Sequence, residues 1–198
     1  ISAFAACADV RRTLTPQLRT DAGDSDLVLV DLGQGRHRLG GSAFAQAYNS
    51  MGEHAPDADA TLLKDFFAAI QALNAAGLLL AYHDRSDGGL FAAACEMAFA
   101  GHCGVSLNLD TLCWDPLMND ADGLERKPEM VDGRFRDRLF GALFAEELGA
   151  LLQICRDDRS KVMQVLRNHG LAACSHTVGE LNTADEIRVW RNARPLLK

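Results

Sequence analysis

No apolar run in this 198-residue chain approaches the ~20 consecutive residues that a membrane-spanning helix needs, so insertion into a bilayer is not expected. No C-x-x-C pair and no zinc-like alternation of Cys and His occurs among the six cysteines, at 7, 95, 103, 113, 155 and 174. Scattered in this way, they suit small core residues in a reducing cytoplasm better than a disulfide framework. A Walker lysine motif is missing, as is the G-x-S-x-G elbow of serine hydrolases. Gly33-Gln34-Gly35-Arg36-His37-Arg38 fails as a dinucleotide fingerprint, because Arg38 stands where the third glycine belongs. Excess positive charge is lacking too. Twenty basic against 27 acidic residues leave a net charge of −7, which argues against a nucleic-acid backbone or an anionic membrane as the main partner.

What is present is enough for one sizeable core, since 48% of the residues are hydrophobic. The most informative stretch is LLLAYHDRSDGGLFAAACEMAFAG, residues 78–101. Its apolar opening is short enough for a buried strand. It breaks at His83-Asp84-Arg85-Ser86-Asp87-Gly88-Gly89 and resumes with helical spacing at Leu90, Ala94, Met97, Ala98 and Gly101. A strand, a polar glycine turn and a helix in that order bring free backbone N–H groups beside polar side chains, which attracts anions. Two aspartates in the turn would repel a phosphate unless a divalent cation such as Mg2+ lay between carboxylate and phosphate. On that reading Asp84 binds the metal and Ser86 lies near the phosphates. The same residues also suit a capped strand–helix connection with no ligand, and both readings stand at this point. A hydrolytic triad of His83, Asp84 and Ser86 is excluded by their closeness, because triads assemble from separated segments.

Elsewhere the pattern predicts alternating strands and helices. Residues 1–25 read as a connector from a preceding domain, the start at Ile1 being expected to be a cut within a longer chain. Asp26 to Leu32 reads as a strand buried on both faces, since LVLV is continuous. Ser42 is the expected N-cap of a helix carrying Phe44, Ala47, Tyr48 and Met51 and closed by Gly52, and the Gly40-Gly41-Ser42 turn is a candidate second anion site. A helix over 60–76 should turn Leu63, Phe66, Phe67, Ile70 and Leu73 inward and stop at Gly77. Strands are expected at 104–109, from Leu148 to Cys155, and at about 172–181 and 186–191, with helices over 134–144 and after an Asp157 or Asp158 cap. The predicted fold is α+β: one mixed sheet covered by helices, over residues 26–198, with a variable excursion at 110–133.

The blocks AYHDRSDGGL and EMAFAGHCGV resemble the large, single-chain phosphoribosylformylglycinamidine synthases of purine biosynthesis. DVRRTLTPQLRT, LVLVDLGQGRHRLGGSAFAQAY, LFAEELGALLQI and HGLAACSHTVGEL extend the resemblance over most of the chain, the 110–133 stretch apart. The resemblance implies the C-terminal domain of the second of two units of the aminoimidazole-ribonucleotide-synthase type. The parent enzyme it implies is an ATP-dependent ligase that converts formylglycinamide ribonucleotide to the amidine with ammonia from a glutaminase domain. The implied cofactors are Mg2+ and ATP or ADP. The implied partners are an N-terminal synthase domain and the glutaminase domain of the same parent chain, and the fragment alone is expected to be inactive. Position by position, Asp84 matches a Mg2+ ligand and Ser86 a nucleotide contact, while Asp87, Gly88 and Gly89 shape the turn. Related enzymes carry a substrate-contacting Glu-Ser-Gln triplet in their first unit; the matching positions here are Glu146-Glu147-Leu148. That departure argues against substrate binding by this half and fits an auxiliary nucleotide site. Two other readings are another ATP-using synthase or kinase of the same superfamily, and an assembly domain with no bound ligand.

Because residues 110–133 combine charge, two prolines and no period, limited proteolysis is expected to cut there first. Early cleavage within 60–76 or 89–101 would contradict that assignment.

Overall fold

A computed structural model describes residues 2, 4–7, 9–114 and 134–197, with the side chains of 134 and 135 left aside. The 110–133 excursion therefore falls, from 115 onward, outside the described residues. In order the chain forms β1 (Ser25–Asp31), α1 (Ala43–Ala47), α2 (Ala60–Ala75), β2 (Ala81–Asp84), α3 (Gly89–Gly101), β3 (Gly104–Asn108) and α4 (Asp110–Cys113). It continues with α5 (Arg134–Phe144), β4 (Gly149–Cys155), α6 (Arg159–Asn168), β5 (Ser175–Asn182), β6 (Ile187–Arg191) and β7 (Arg194–Leu197).

The strands make one seven-stranded sheet in the order β2-β4-β1-β5-β3-β6-β7. Every pair is antiparallel except β3 with β6, so the sheet is mixed, as predicted. β1 is buried along its whole length, and its alternate residues feed two cores. Leu27 and Leu29 join Leu151 and Leu107 beneath Leu90, Ala94 and Met97 of α3 and Leu143 of α5. Val28 and Val30 join Leu152 and Ile154 beneath Phe66, Ile70 and Leu73 of α2 and Val162 and Leu166 of α6. Each fully buried leucine or valine contributes roughly 1.5–3 kcal/mol, so these two layers are the main favourable term holding the helices to the sheet.

Local signals set several boundaries. The Asp59 carboxylate accepts the Thr61 and Leu62 N–H groups and starts α2, while Gly77 in the left-handed region (φ +68°) ends it. Along the free edge of β2, the preceding segment supplies a partner: the Thr15 carbonyl accepts the Tyr82 N–H at 3.0 Å. Leu18 is buried in the first core, and Arg19 exchanges both backbone hydrogen bonds with the Gln153 amide, each at 2.8 Å.

Four expectations need correction. α1 ends at Ala47 and Met51 is 82% exposed, because the chain turns back so that the Met51 and His54 carbonyls accept the Gly41 and Gly40 N–H groups. Leu63 and Phe67 of α2 are 40% and 65% exposed; Ala69, not they, completes the buried stripe with Phe66, Ile70 and Leu73. Asp158 sits at the start of α6 but its carboxylate takes the Lys161 ammonium at 2.6 Å rather than capping the helix. The strand expected from Leu78 begins at Ala81, and β7, in which Pro195 stands opposite Trp190, was not anticipated.

The stripe assignment in α2 is directly checkable. Phe66→Ala should cost about 3–5 kcal/mol by urea titration, and Phe67→Ala about 0.5 kcal/mol or less. Equal costs would mean that α2 is rotated about its axis.

Candidate functional site

At the end of β2 the chain leaves the sheet through Asp84-Arg85-Ser86-Asp87-Gly88 and enters α3. The turn is anchored from below by Arg85, whose side chain is buried. Its guanidinium donates to Asp31 Oδ1 at 2.5 Å, to the Glu147 carbonyl at 2.6 Å and to the Leu148 carbonyl at 3.1 Å. Asp31, last residue of β1, is as deeply buried and also accepts the Gly33 and Gly35 N–H groups at 3.0 and 2.7 Å. Burial pushes the Asp31 carboxyl up, but Arg85 and the Gly35 N–H outweigh it and the net shift is downward.

A second ion pair extends this network. Glu147, fully buried, accepts the Arg38 backbone N–H (3.0 Å) and both ends of its guanidinium fork (2.8 and 2.7 Å). Here too burial raises the carboxyl, and the Arg38 side chain and N–H more than reverse it. Gly33 is glycine because a Cβ there would come within 2.5 Å of Glu147 Cγ. Glu146 completes the arrangement: its Oε1 accepts the Ala43 N–H and the Gly88 N–H, each at 2.8 Å. One carboxylate thus ties the N-terminus of α3 to that of α1. Gly88 and Gly89 take φ of +82° and +68°, and a Cβ on Gly89 would meet the backbone of Phe144 at 2.7 Å.

Above this base, Asp84 is exposed at the strand end. Its Oδ1 accepts the Tyr82 hydroxyl at 2.5 Å, and among the described residues Oδ2 has no hydrogen-bond partner. Burial, with the Asp84 carboxylate adding to it, pushes the half-buried Tyr82 phenol up, so it remains a donor. His83 points to the other face, bridging the Asp84 carbonyl (2.7 Å from Nδ1) and Glu96 Oε2 of α3 (2.8 Å from Nε2). Ser86 is exposed; its carbonyl accepts the Gly89 N–H at 2.9 Å, and its hydroxyl has no partner among the described residues. Tyr82 and Asp84 line one end of an open cavity of about 670 Å³ beside α2, floored by Phe66, Phe67 and Ile70 and flanked by Arg12. Cavities of this size accommodate nucleotide-sized ligands.

Asp84 and Ser86 are therefore together on one exposed turn. Ser42 is a cap: its Oγ accepts the Ala45 N–H at 3.1 Å and donates to the Leu39 carbonyl at 2.6 Å. The Glu146 carboxylate occupies the Ala43 N–H of the Gly40-Gly41-Ser42 turn. Among the described residues no three His, Cys, Asp or Glu side chains converge as a metal centre. Asp84 fits Mg2+ as one hard carboxylate ligand and cannot complete a shell alone. Arg85, Asp31, Arg38 and Glu147 escaped the sequence reading as a set, although an ionisable residue ending an apolar strand (Asp31) is the signal of a buried pair. No helix among the described residues is long and apolar enough to cross a membrane.

Residues 24–192 match the family described as AIR synthase related protein, C-terminal domain. Among solved structures, the chain is similar to Thermotoga maritima PurL complexed with ATP, with TM-score 0.63 and 16% identity over 95% of this chain and 26% of that one. The same protein complexed with FGAR gives TM-score 0.64 and 16% identity over 95% and 28%. Escherichia coli HypE, a hydrogenase maturation protein, gives TM-score 0.59 and 20% identity over 94% and 52%. The chain thus spans about a quarter of the PurL chains and about half of HypE. At these identities the likeness shows the fold.

The buried ion pairs have a pH signature. Asp31 and Glu147 titrate lower folded than unfolded, where carboxyls lie at about 4. Their stabilisation is complete above the unfolded values and is lost as pH falls below about 4 through the folded ones. Asp31→Asn should flatten the Asp31 part of that acid limb. Arg85→Met, which leaves Asp31 buried and unpaired, should cost about 3–5 kcal/mol at neutral pH. Urea titrations at pH 7 and 3 measure both, and a wild-type Arg85→Met midpoint would contradict the anchor.

Proposed function

The chain belongs to the AIR synthase related C-terminal domain family, and from that premise we propose that it forms one wall of a Mg-nucleotide site in a phosphoribosylformylglycinamidine synthase. The observation that carries this reading is Asp84: an exposed carboxylate with one oxygen unpartnered among the described residues, on a turn anchored by buried ion pairs, beside a nucleotide-sized cavity. The likeness to PurL complexed with ATP supports it. On this reading the domain is the second of two related units in a large single chain. The remaining ligands come from the preceding synthase domain, and ammonia comes from a glutaminase domain.

When bound, Mg2+ would offset the charge of the nucleotide phosphates at Asp84. The chain's own residues do the rest. Asp84 presents a charged oxygen, Ser86 offers a hydroxyl to a phosphate oxygen, and Gly88 and Gly89 let the turn enter α3 without side-chain obstruction. Glu146 and Glu147, which stand where the first unit's substrate triplet would be, are committed to internal partners. That commitment supports an auxiliary, stabilising site. A second reading rests on the likeness to HypE: an ATP-using member of the superfamily outside purine biosynthesis. Glutamine-dependent amidation of formylglycinamide ribonucleotide by the full-length protein separates the two.

Asp84→Asn in the full-length protein keeps shape and removes charge. Loss of a charged metal ligand should weaken Mg-nucleotide retention by at least roughly 10–100-fold, the scale of second-layer losses. The variant should melt earlier, because bound nucleotide stabilises the fold by mass action, while turnover per folded molecule persists. Collapsed turnover at an unchanged melting temperature would make the site catalytic instead. Wild-type nucleotide content would remove the site altogether.

A further inference from the structure

Tyr82 stands two residues before Asp84 on β2, so both side chains project from the same face of the strand. Three independent contacts hold Tyr82, two through its backbone and one through its ring. Its body packs against the core formed with α2, its backbone N–H donates to the Thr15 carbonyl, and its residue is paired with Leu152 of β4. The hydroxyl therefore has a position set by the core rather than by solvent. From that position it donates to Asp84 Oδ1 at 2.5 Å, at the short end for a hydroxyl donating to a charged oxygen. Asp84 is exposed, and an exposed carboxylate ordinarily samples several rotamers. Here one oxygen is held and the other, Oδ2, has no partner among the described residues beside the cavity that both residues line.

We propose that Tyr82 is a positioning residue for divalent-cation binding: its hydroxyl locks the Asp84 carboxylate and presents Oδ2 as a one-oxygen ligand. The inference rests on the reading of Asp84 as a metal ligand and adds a residue which that reading does not contain. Two effects follow from the geometry. Ordering the carboxylate beforehand lowers the entropic cost of binding. Occupying Oδ1 with the hydroxyl leaves Oδ2 as the oxygen open to the cation, which suits Mg2+, whose octahedral shell favours single-oxygen coordination with water and phosphate filling the rest.

A purely architectural Tyr82 would make a different prediction, since losing one hydrogen bond at a sheet edge would lower the melting temperature without touching the cation requirement. The test uses the full-length protein as wild type, Tyr82→Phe, Asp84→Asn and the double variant. ADP retained after desalting is measured across a Mg2+ series, with Mn2+ binding read separately by electron paramagnetic resonance and melting recorded without nucleotide. Tyr82→Phe keeps the ring and its packing, and is expected to raise the Mg2+ concentration for half-retention by roughly 10–100-fold. In the Asp84→Asn background the same change should have no further effect, because the two act through one carboxylate. A Tyr82→Phe protein with the wild-type Mg2+ and Mn2+ dependence, whatever its melting temperature, overturns the proposal while leaving the Asp84 site intact. So does a Tyr82→Phe loss that persists undiminished in the Asp84→Asn background. If Asp84→Asn alone leaves the Mg2+ dependence unchanged, the metal-site reading fails and this inference fails with it.

Discussion

The Arg85–Asp31 ion pair is the contact on which the geometry of the exposed turn depends. Arg85 joins three pieces of backbone that pass close together at one end of the sheet: the exit of β1, the entry to β4 and the connection from β2 to α3. Both charges lie out of water, and their mutual attraction repays that desolvation only when geometry is good and further hydrogen bonds satisfy the remaining atoms. Here Asp31 accepts two backbone N–H groups besides the guanidinium, and Arg85 reaches two carbonyls besides the carboxylate. An apolar substitute could fill the volume. It could not hold the two carbonyls, whose burial without donors would be costly.

The other polar contacts build outward from that pair. Glu147 carries the Arg38 segment against the same loop, and Glu146 joins the first turns of α1 and α3. Three carboxylates that a charge count treats alike thus hold the turn in place. Asp84 differs from them in being exposed and in lining the open cavity. Separating internal from outward-facing carboxylates is what allows one residue to be singled out as a ligand in a chain with 27 acidic residues. A single ligand also accounts for the division of labour in the proposed function. In that proposal the domain would supply a rigid edge, and the metal shell would be completed by groups from outside it.

Much of this was legible in the residues. The LVLV run foretold a strand covered on both faces, and β1 is so covered. Ser42 and Gly77 marked helix ends that they do form. The change from strand to glycine turn to helix over 78–101 placed Asp84 and Ser86 close together at an exposed strand-to-helix turn, where the structure has them. These features depend on hydrogen bonds and side-chain periods spanning about four residues, which a sequence displays directly.

Tertiary structure decided the rest because the partners are distant in the chain. Arg85 and Asp31 are 54 positions apart, and Arg38 and Glu147 are 109 apart, so nothing local marks them as pairs. The buried side of α2 was misjudged for the same reason. Leu63, Phe66 and Phe67 are all apolar and all within one broad stripe, and only the placement of the sheet beneath selects Phe66 over its neighbours. The length of α1 was settled by Gly40 and Gly41 meeting the chain again at His54 and Met51, and the edge position of β7 by its pairing with β6. Sequence by itself determined most of the strands and helices, though not β7 or the length of α1, and which turn carries the exposed aspartate. The fold alone determined which charges are buried together and which exposed carboxylate lines the cavity, because that depends on chain segments meeting in space.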